Sequence, residues 1–428
     1  MLRMAMSDAD FEERFRAFVE AGRDSDADVS QAVSAILARV RAEGDAALIE
    51  LTERFDRFQI DAGRLRIGEA EIDDACRDVP GDLMAALELA AERIRDFHGA
   101  QRPADHEQVD AHGNRTGWRY TSVDAAGLYI PGGRATYPSS VLMNAIPAKV
   151  AGVERLVMVT PTPEGRMNPL VLAAARLAGV DEIYRVGGAQ AVAALAFGTE
   201  SIRPVDVVTG PGNAFVAEAK RQLYGRVGID MVAGPSEILV VADDSADAAM
   251  LAFDLLSQAE HDPSAQSILI TDSIDLADAV VAAMPGALDT LSTKAAARES
   301  WEAHGAIITV DRLSDSVRLI DALAPEHLAL AVADPQPLFD QVRHAGSIFI
   351  GHLTPEAIGD YVAGPNHTLP TGRRARFSSG LGVADFMKRT TYLECSRAGF
   401  DAIGPAAARL AEAEGLPAHA KSVTQRLG

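Results

Sequence analysis

Residues 205–220, VDVVTGPGNAFVAEAK, run from a short apolar segment through a glycine- and proline-rich turn into a helical stretch. The same order of strand, turn and helix is predicted for LYIPGGRATYPSS (128–140) and MVAGPSE (231–237). Such turns let the backbone reverse sharply at the carboxyl end of a strand, which is where open α/β sheets bind ligands. The spacing fits a plain strand-to-helix connection equally well. These turns, like VGGAQAVAALAFGT (186–199), lack the G-x-G-x-x-G pattern, so the usual fingerprint gives no dinucleotide cofactor.

Apolar runs without polar alternation recur after residue 123, and such runs are typical of a parallel sheet that is covered on both faces. They alternate with alanine-rich helical stretches, which predicts a β-α-β-α architecture in two open sheets divided near residues 232–237. A closed eightfold barrel is the alternative, but it fits the uneven spacing poorly. The predicted strands are RLVMVT (155–160), EIYRV (182–186), VDVVT (205–209), EILVVAD (237–243), SILIT (267–271), AIITV (306–310), LALAVAD (328–334) and SIFIG (347–351).

The first hundred residues have a helical pattern, because apolar residues return at intervals of three and four. The three predicted helical stretches lie within residues 11–22, 29–56 and 83–100. At 428 residues and 48% hydrophobic composition, the chain is long and apolar enough for two or more domains. The sequence therefore predicts a helical N-terminal segment followed by the two sheets.

Charge and cysteine content exclude several classes of protein. A formal net charge of −21 argues against nucleic acid binding, because phosphates favour basic surfaces. The two cysteines, Cys76 and Cys395, are too few for a cysteine-based zinc site and do not resemble a secreted disulfide framework. We expect a cytoplasmic protein without a signal peptide or a membrane segment, since no run of eighteen apolar residues occurs.

Histidine and carboxylate residues are concentrated in four separate segments, each too poor in ligands to hold a metal alone. We therefore predict one site assembled by folding. Gln258 and His261 lie three residues apart and would share one face of a helix. Residue chemistry alone favours Glu260, His261 and Asp262 as ligands over the Gln258 amide. The four segments are SQAEHDP (257–263), APEHLAL (324–330), GDYVAGPNHTLPTG (359–372) and AEGLPAHAKSV (413–423).

Most histidines, considered singly, are surface or packed structural residues. We interpret the following histidines in this way: His98, His106, His112, His304 and His344. Glu326 and His327 are different, because the pair falls at a predicted helix-to-strand junction, where histidine could accept a proton from an alcohol and glutamate could polarise water. A capped helix end with an exposed ion pair explains the same spacing equally well.

Taken together, these segments resemble the histidinol dehydrogenase family from about residue 10 to the C-terminus. The resemblance rests on long ordered strings, with no departure at a position that the family uses. These strings are GLYIPGGRATYPSSVLMNAIPAK, VGGAQAVAALAFGT, VTGPGNAFVAEAK, VAGPSEILVVAD, SQAEHDP, APEHLAL, GDYVAGPNHTLPTG and SSGLGVADF.

The resemblance implies a fold of two incomplete Rossmann-like open parallel-sheet domains and a small helical C-terminal tail that is swapped between subunits of a homodimer. Residues 26–125 with 235–378 would form the catalytic and zinc domain, and 126–234 the NAD-binding domain. Residues 5–25 with 379–395 would form a small dimerisation domain, and 396–428 the swapped tail.

The resemblance also implies an activity, the four-electron oxidation of L-histidinol to L-histidine by NAD through an aldehyde, with one zinc ion per subunit. His327 would be the base for the alcohol, and Glu326 would activate water. The zinc ligands would be Gln258, His261, Asp360 and His419, which replaces our preference for Glu260 and Asp262. NAD contacts would come from Tyr129, Gln190 and Asn213. Substrate contacts would come from Ser236, Gln258, His261, His327, Asp360, His367, Glu414 and His419.

Three alternatives remain open at this level. A paralogue would use zinc and NAD on another small amino alcohol or diol, but the presence of Glu326, His367 and Glu414 favours histidinol. A metal-dependent hydrolase would turn over without NAD. A non-catalytic NAD-sensing protein would be expected to lack His327 or a metal ligand, and this sequence retains both.

Overall fold

A computed structural model describes residues 1–21, 27–132 and 137–427, so residues 133–136 of the predicted turn at 128–140 lie outside the described part. The strands are β1 Leu2–Ala5, β2 His106–Val109, β3 Arg115–Ser122, β4 Ala125–Tyr129, β5 Arg155–Val159, β6 Glu182–Tyr184, β7 Val207–Thr209, β8 Gly228–Ile229, β9 Glu237–Ala242, β10 Gln266–Thr271, β11 Ala306–Thr309, β12 His327–Ala331, β13 Ser347–Ile350 and β14 Met387–Glu394.

Helices precede and connect these strands. They are α1 Phe11–Glu20, α2 Ala27–Glu43, α3 Asp45–Asp56, α4 Ala62–Leu65, α5 Glu69–Asp78, α6 Gly81–Gly99, α7 Pro138–Ala151, α8 Pro169–Ala178, α9 Gly188–Phe197, α10 Ala214–Leu223, α11 Ala248–Ala259, α12 Ile274–Asp289, α13 Lys294–His304, α14 Ser316–Leu323, α15 Gln336–Phe339, α16 Glu356–Tyr361, α17 Arg397–Ala413 and α18 Pro417–Leu427. None of the helices in the described ranges has the length and apolarity that a membrane crossing requires.

Two open parallel sheets form the body of the molecule, as the sequence predicts, and the barrel alternative is wrong. The first sheet has the strand order β6-β5-β4-β7-β8, and the second has the order β1-β11-β10-β9-β12-β13. Apart from β1, which joins the edge of the second sheet beside β11, each sheet is extended first on one side of its starting strand, β4 or β9, and then on the other. The reversal falls between β4 and β7 in the first sheet and between β9 and β12 in the second.

Both sheets are covered by helices on both faces. In β4, Leu128 packs with α6, α7 and α8 on one face, while its neighbour Tyr129 packs with α2, α3 and α9 on the other. In β9, Val240 packs with α11, α12 and α13, and Leu239 packs with α1 and α14. This two-sided burial is why the strands read as continuous apolar runs; full burial of one such side chain contributes about 1.5–3 kcal/mol.

Three features differ from the sequence-based prediction. The segment 231–237 does not lead into a helix: it is an irregular connection between the two sheets, and β9 begins at Glu237. Residues 2–5 form strand β1, which pairs with β11 at the edge of the second sheet. A third, antiparallel sheet of order β14-β3-β2 was not predicted, because its largely exposed strands lack an apolar pattern. The four predicted domain limits stay a prediction.

Candidate active site

A cavity of about 280 Å³ lies where the carboxyl ends of β4 and β7 in the first sheet meet the amino ends of β9 and β12 in the second. Pro131 and Gly210 reach it from the first sheet, directly after the strands that flank the chain reversal. Residues from distant parts of the sequence therefore meet here. The predicted site residues that line the cavity are Asn213, Ser236, Gln258, His261, Glu326, His327, Asp360 and His367.

Gln258 and His261 lie at the C-terminal end of α11, which places both side chains at the cavity. The Nε2 atom of Gln258 is 3.3 Å from Nδ1 of His261. The Oε1 atom of Gln258 is buried and has no hydrogen-bond partner. A buried acceptor without a donor is costly, and a cation would satisfy it. With His261 and Asp360 lining the same cavity, an amide oxygen, an imidazole and a carboxylate are available, a donor set that suits a divalent ion such as zinc.

The two neighbouring acids have other partners. The carboxylate of Glu260 accepts a hydrogen bond from the Thr293 hydroxyl, and Asp262 Oδ1 accepts from the backbone N–H of Ser264 at 2.9 Å. Asp262 lines the cavity all the same.

His327 is the first residue of β12, and its imidazole is buried at the cavity. Its Nδ1 lies 3.0 Å from the carbonyl oxygen of Glu237, so Nδ1 carries the hydrogen and donates it to that carbonyl. The other nitrogen, Nε2, is buried without a hydrogen-bond partner and lies 3.9 Å from Asp360 Oδ1. Burial lowers the pKa of His327 to about 4, against the opposing influence of Asp360. The ring is thus neutral at pH 7, with a lone pair on Nε2 that can accept a proton.

Glu326 precedes His327 and is also buried. Its Oε2 accepts a hydrogen bond of 3.0 Å from the backbone N–H of Glu237, and it lies 3.7 Å from Nδ1 of His327. The backbone of Glu237 therefore holds both side chains, through its N–H and its carbonyl. The alternative interpretation, a capped helix end with an exposed ion pair, is wrong, since both side chains are buried.

Glu356 is a buried carboxyl group that sequence reasoning missed. Its Oε1 lies 3.5 Å from Nδ1 of His327, and the ligand atoms of His327, Glu356 and Asp360 all lie within 4.8 Å of one another. This second group of metal-capable atoms shares Asp360 with the set above. Burial, and then the charges of Asp360 and Glu326, raise the pKa of Glu356 well above its ordinary value. The sequence did hold a signal, because Glu356 precedes Asp360 by four residues on one short helix.

His367 is fixed on both ring nitrogens. Its Nδ1 lies 2.9 Å from the backbone carbonyl oxygen of Asp360, to which it donates, and its Nε2 lies 3.2 Å from the Ser140 hydroxyl. Burial lowers the pKa of His367. A neutral imidazole at this place presents a fixed polar surface to whatever occupies the cavity.

The three predicted cofactor residues differ in their exposure to the cavity. Asn213 lines the cavity, and its Oδ1 caps α10 by accepting from the backbone N–H groups of Phe215 and Val216 at 3.1 and 3.2 Å. Tyr129 and Gln190 are both buried and are not among the described residues that line the cavity; the Tyr129 hydroxyl accepts from the Gly188 N–H at 3.1 Å. All three stand at or beyond the carboxyl ends of first-sheet strands or at the helix starts that follow them.

Glu414 and His419 lie apart from the others. Both are exposed, in the C-terminal hairpin of α17 and α18, and neither is among the described residues that line the cavity. The hairpin is anchored at its base, where the Ser396 hydroxyl donates to the carbonyl of His112 at 2.6 Å. Large apolar side chains of the hairpin, Ile403, Leu410 and Leu416, are exposed.

Comparison with known proteins matches this chain to one family along nearly its whole length. The family model described as histidinol dehydrogenase matches residues 20–427. A histidinol dehydrogenase of Zymomonas mobilis is 62% identical over 427 residues, covering 100% of this chain and 99% of the relative. One from Rhodospirillum rubrum is also 62% identical over 427 residues, covering 100% and 98%.

A solved structure agrees with these sequences. The crystal structure of histidinol dehydrogenase from Elizabethkingia anophelis superimposes with a TM-score of 0.95 at 34% identity, covering 100% of this chain and 98% of that one. Identity at this level over the full length, together with the shared fold, leads to one conclusion: the chain belongs to the histidinol dehydrogenase family.

Proposed function

We propose that this chain catalyses the NAD-dependent oxidation of L-histidinol to L-histidine, the last step of histidine biosynthesis, at the cavity between the two sheets. The single observation that carries the proposal is the imidazole of His327, whose Nδ1–H is held by the Glu237 carbonyl while its buried Nε2 has no partner. An alcohol bound in the cavity can give its proton to that nitrogen as its hydride passes to NAD.

The second oxidation needs a tetrahedral hydride donor, which forms when water or a thiol adds to the aldehyde. Neither Cys76 nor Cys395 lines the cavity, whereas Glu326 does. Glu326 therefore takes the proton of a water molecule as its oxygen adds to the aldehyde carbon. The hydrated aldehyde then passes the second hydride to a second NAD, and the carboxylic acid so formed releases its proton to solvent and leaves as the carboxylate.

Gln258, His261 and Asp360 are the residues of this chain that hold zinc, and the orphaned Oε1 of Gln258 supports this assignment. Zinc, when bound, orients the substrate through its imidazole and amine. Ser236 and His367 complete the substrate contacts in the cavity, and Tyr129, Gln190 and Asn213 bind NAD at the neighbouring strand ends. The cytoplasmic location stays a prediction from composition.

A spectrophotometric assay tests the proposal. The purified protein should form about two NADH per L-histidinol, one for each oxidation, and activity should fall on treatment with a chelator and return with Zn²⁺. Turnover without NAD, or one NADH per substrate with an aldehyde as end product, contradicts it.

The tail provides Glu414 and the fourth zinc ligand, His419, to the site of a second subunit in a homodimer. The exposure of both residues and of the apolar side chains of the hairpin supports this arrangement. Inactive His327→Ala and His419→Ala proteins, unfolded together and refolded, should regain roughly a quarter of wild-type activity, because random assortment gives half hybrids with one intact site each. No recovery, with a wild-type control that refolds, shows that each tail serves its own subunit.

A further inference from the structure

A buried ion pair stands at the wall of the cavity, which Asp230 lines, and is used by none of the steps above. Lys220 of α10 pairs with Asp230, which follows β8, and their side chains are only 2% and 1% exposed. Lysine and aspartate are almost never buried to this degree unless they are paired, because each charge loses its water. A buried pair of this kind is often no more stabilising than apolar side chains, so its presence calls for another reason.

The pair encloses a single residue, Gly210. The Nζ of Lys220 donates to the carbonyl oxygen of Gly210 at 3.0 Å. The Oδ2 of Asp230 accepts from the N–H of the same glycine at 2.8 Å. Both backbone hydrogen-bonding groups of Gly210 are thus held by two charged side chains, and hydrogen bonds to charged groups are the stronger kind.

Gly210 is the point at which the chain leaves β7. Its φ of +112° is a conformation that L side chains rarely adopt, and a Cβ there would lie 2.1 Å from the carbonyl oxygen of Tyr129. The following residues, Pro211, Gly212 and Asn213, line the cavity. The direction in which the chain leaves Gly210 therefore decides where Asn213 stands.

The same aspartate also begins the connection to the second sheet. Its Oδ1 accepts from the N–H of Met231 at 2.6 Å, at the start of the segment that carries Ser236 to the cavity. One ion pair thus ties the turn at residues 210–213 to the connection at 230–236.

We infer that Lys220 and Asp230 are a positioning pair, which fixes the 210–213 turn in the geometry that binds NAD. The inference rests on the proposed binding of NAD at Asn213. Lys220 does not line the cavity, and both carboxylate oxygens of Asp230 are held by protein donors, so their effect is on cofactor affinity and not on the chemical step.

The test is Lys220→Met, which keeps the length of the side chain and removes its donor. The KM for NAD should rise about tenfold, the loss expected for one hydrogen bond to a charged group, while the KM for histidinol stays within about twofold. A purely structural role would lower kcat through the fraction of folded enzyme and leave both KM values unchanged. Lys149→Met is the matched control, because Lys149 forms a partly exposed pair with Asp181 at 2.9 Å; it should change neither KM.

The double variant Lys220→Met/Asp230→Asn covers the case in which the single variant fails to fold. It leaves no lone buried charge, keeps an acceptor for the Gly210 N–H and still removes the donor to the Gly210 carbonyl. Its KM for NAD should rise as in the single variant; a folded double variant with a wild-type KM for NAD overturns the inference. Asn213→Ala distinguishes failure of the proposed NAD site from failure of the positioning role. If Asn213→Ala leaves the KM for NAD unchanged, the proposed NAD site is wrong. If Asn213→Ala raises this KM and the double variant does not, only the positioning role is wrong.

Discussion

Apart from β1 at the edge of the second sheet, the two parallel sheets have the same strand order, with the strands added first on one side of β4 or β9 and then on the other. The cavity nevertheless lies at opposite edges of the two sheets. In the first sheet it lies at the carboxyl edge, beyond β4 and β7, as the general rule for open α/β sheets expects. In the second sheet it lies at the amino edge, where Ser236 precedes β9 and His327 begins β12. The short segment 230–236 brings these edges together, because it leads directly from the end of β8 to the start of β9.

The carboxyl edge of the second sheet has another use. Asp243, directly after β9, accepts hydrogen bonds from the backbone N–H groups of Ser245 and Ala333, at 3.1 and 2.9 Å. Its carboxylate closes turns and links the ends of β9 and β12. The shared order of β4–β8 and β9–β13 therefore does not fix which edge lines the cavity; the connection between the sheets does. We expect variants at the amino edge of the second sheet to impair the chemical step, and variants at the carboxyl edge of the first sheet to impair cofactor binding.

The largest effect should come from His327→Asn at the amino edge. Without the Nε2 base, kcat should fall by about a thousandfold, within the range of general base catalysis, and the KM for NAD should change little. Steady-state kinetics with each substrate varied in turn provide the measurement. If the variant keeps its kcat but binds NAD more weakly, the assignment of the chemical step to the amino edge of the second sheet is wrong.

Glu326→Gln should act on one of the two oxidations. The amide keeps the shape of the side chain but cannot take a proton from water, so aldehyde oxidation should slow by about a hundredfold while alcohol oxidation stays near the wild-type rate. Single-turnover NADH formation, started separately from histidinol and from the aldehyde, measures both steps. If both oxidations slow equally, Glu326 acts on the orientation of His327 and not on the water molecule.

At the carboxyl edge, Asn213→Ala should raise the KM for NAD by about tenfold with kcat less affected. Asn213 also caps α10, so the alanine variant loses about 1 kcal/mol of stability as well. Asn213→Ser is the matched control, since serine caps a helix without the amide. Thermal unfolding should place the serine variant near the wild type, and a wild-type KM in both variants would remove Asn213 from the cofactor site.

The sequence predicts the two-sheet body well, because Val, Ile and Leu in strands buried on both faces give a strong local signal. It does not predict the antiparallel sheet, since the exposed residues HEQV of β2 and MKRTTYLE of β14 have no burial pattern. The segment at 231–237 was misassigned because glycine and proline are shared by turns before helices and by irregular connections.

The site residues were predicted mainly from the family resemblance, since the spacing of each segment fitted a functional and a purely structural interpretation equally well. The structure brings Gln258, His261, His327 and Asp360 to one cavity, which no local pattern could establish. The carboxylate of Glu260 accepts a hydrogen bond from the Thr293 hydroxyl, a contact that residue chemistry alone did not indicate. Glu356 was missed because no histidine stands beside it in the sequence, although its spacing of four residues from Asp360 places the two on one face of α16.

The last effect, that of Glu356→Gln, should be measured as the stability of the metal-free protein. Burial raises the folded-state pKa of Glu356 above the unfolded value of about 4.3, so its favourable contribution is complete below that pH and is lost as pH rises. The variant should therefore exceed the wild type in free energy of unfolding by roughly 1–2 kcal/mol at pH 8, and the difference should shrink toward pH 4. Urea denaturation across this pH range, with exposed Glu299→Gln as control, provides the test. A difference that grows on acidification would show that Glu356 is charged in the fold, and the amino edge would then hold one more anion for a cation to satisfy.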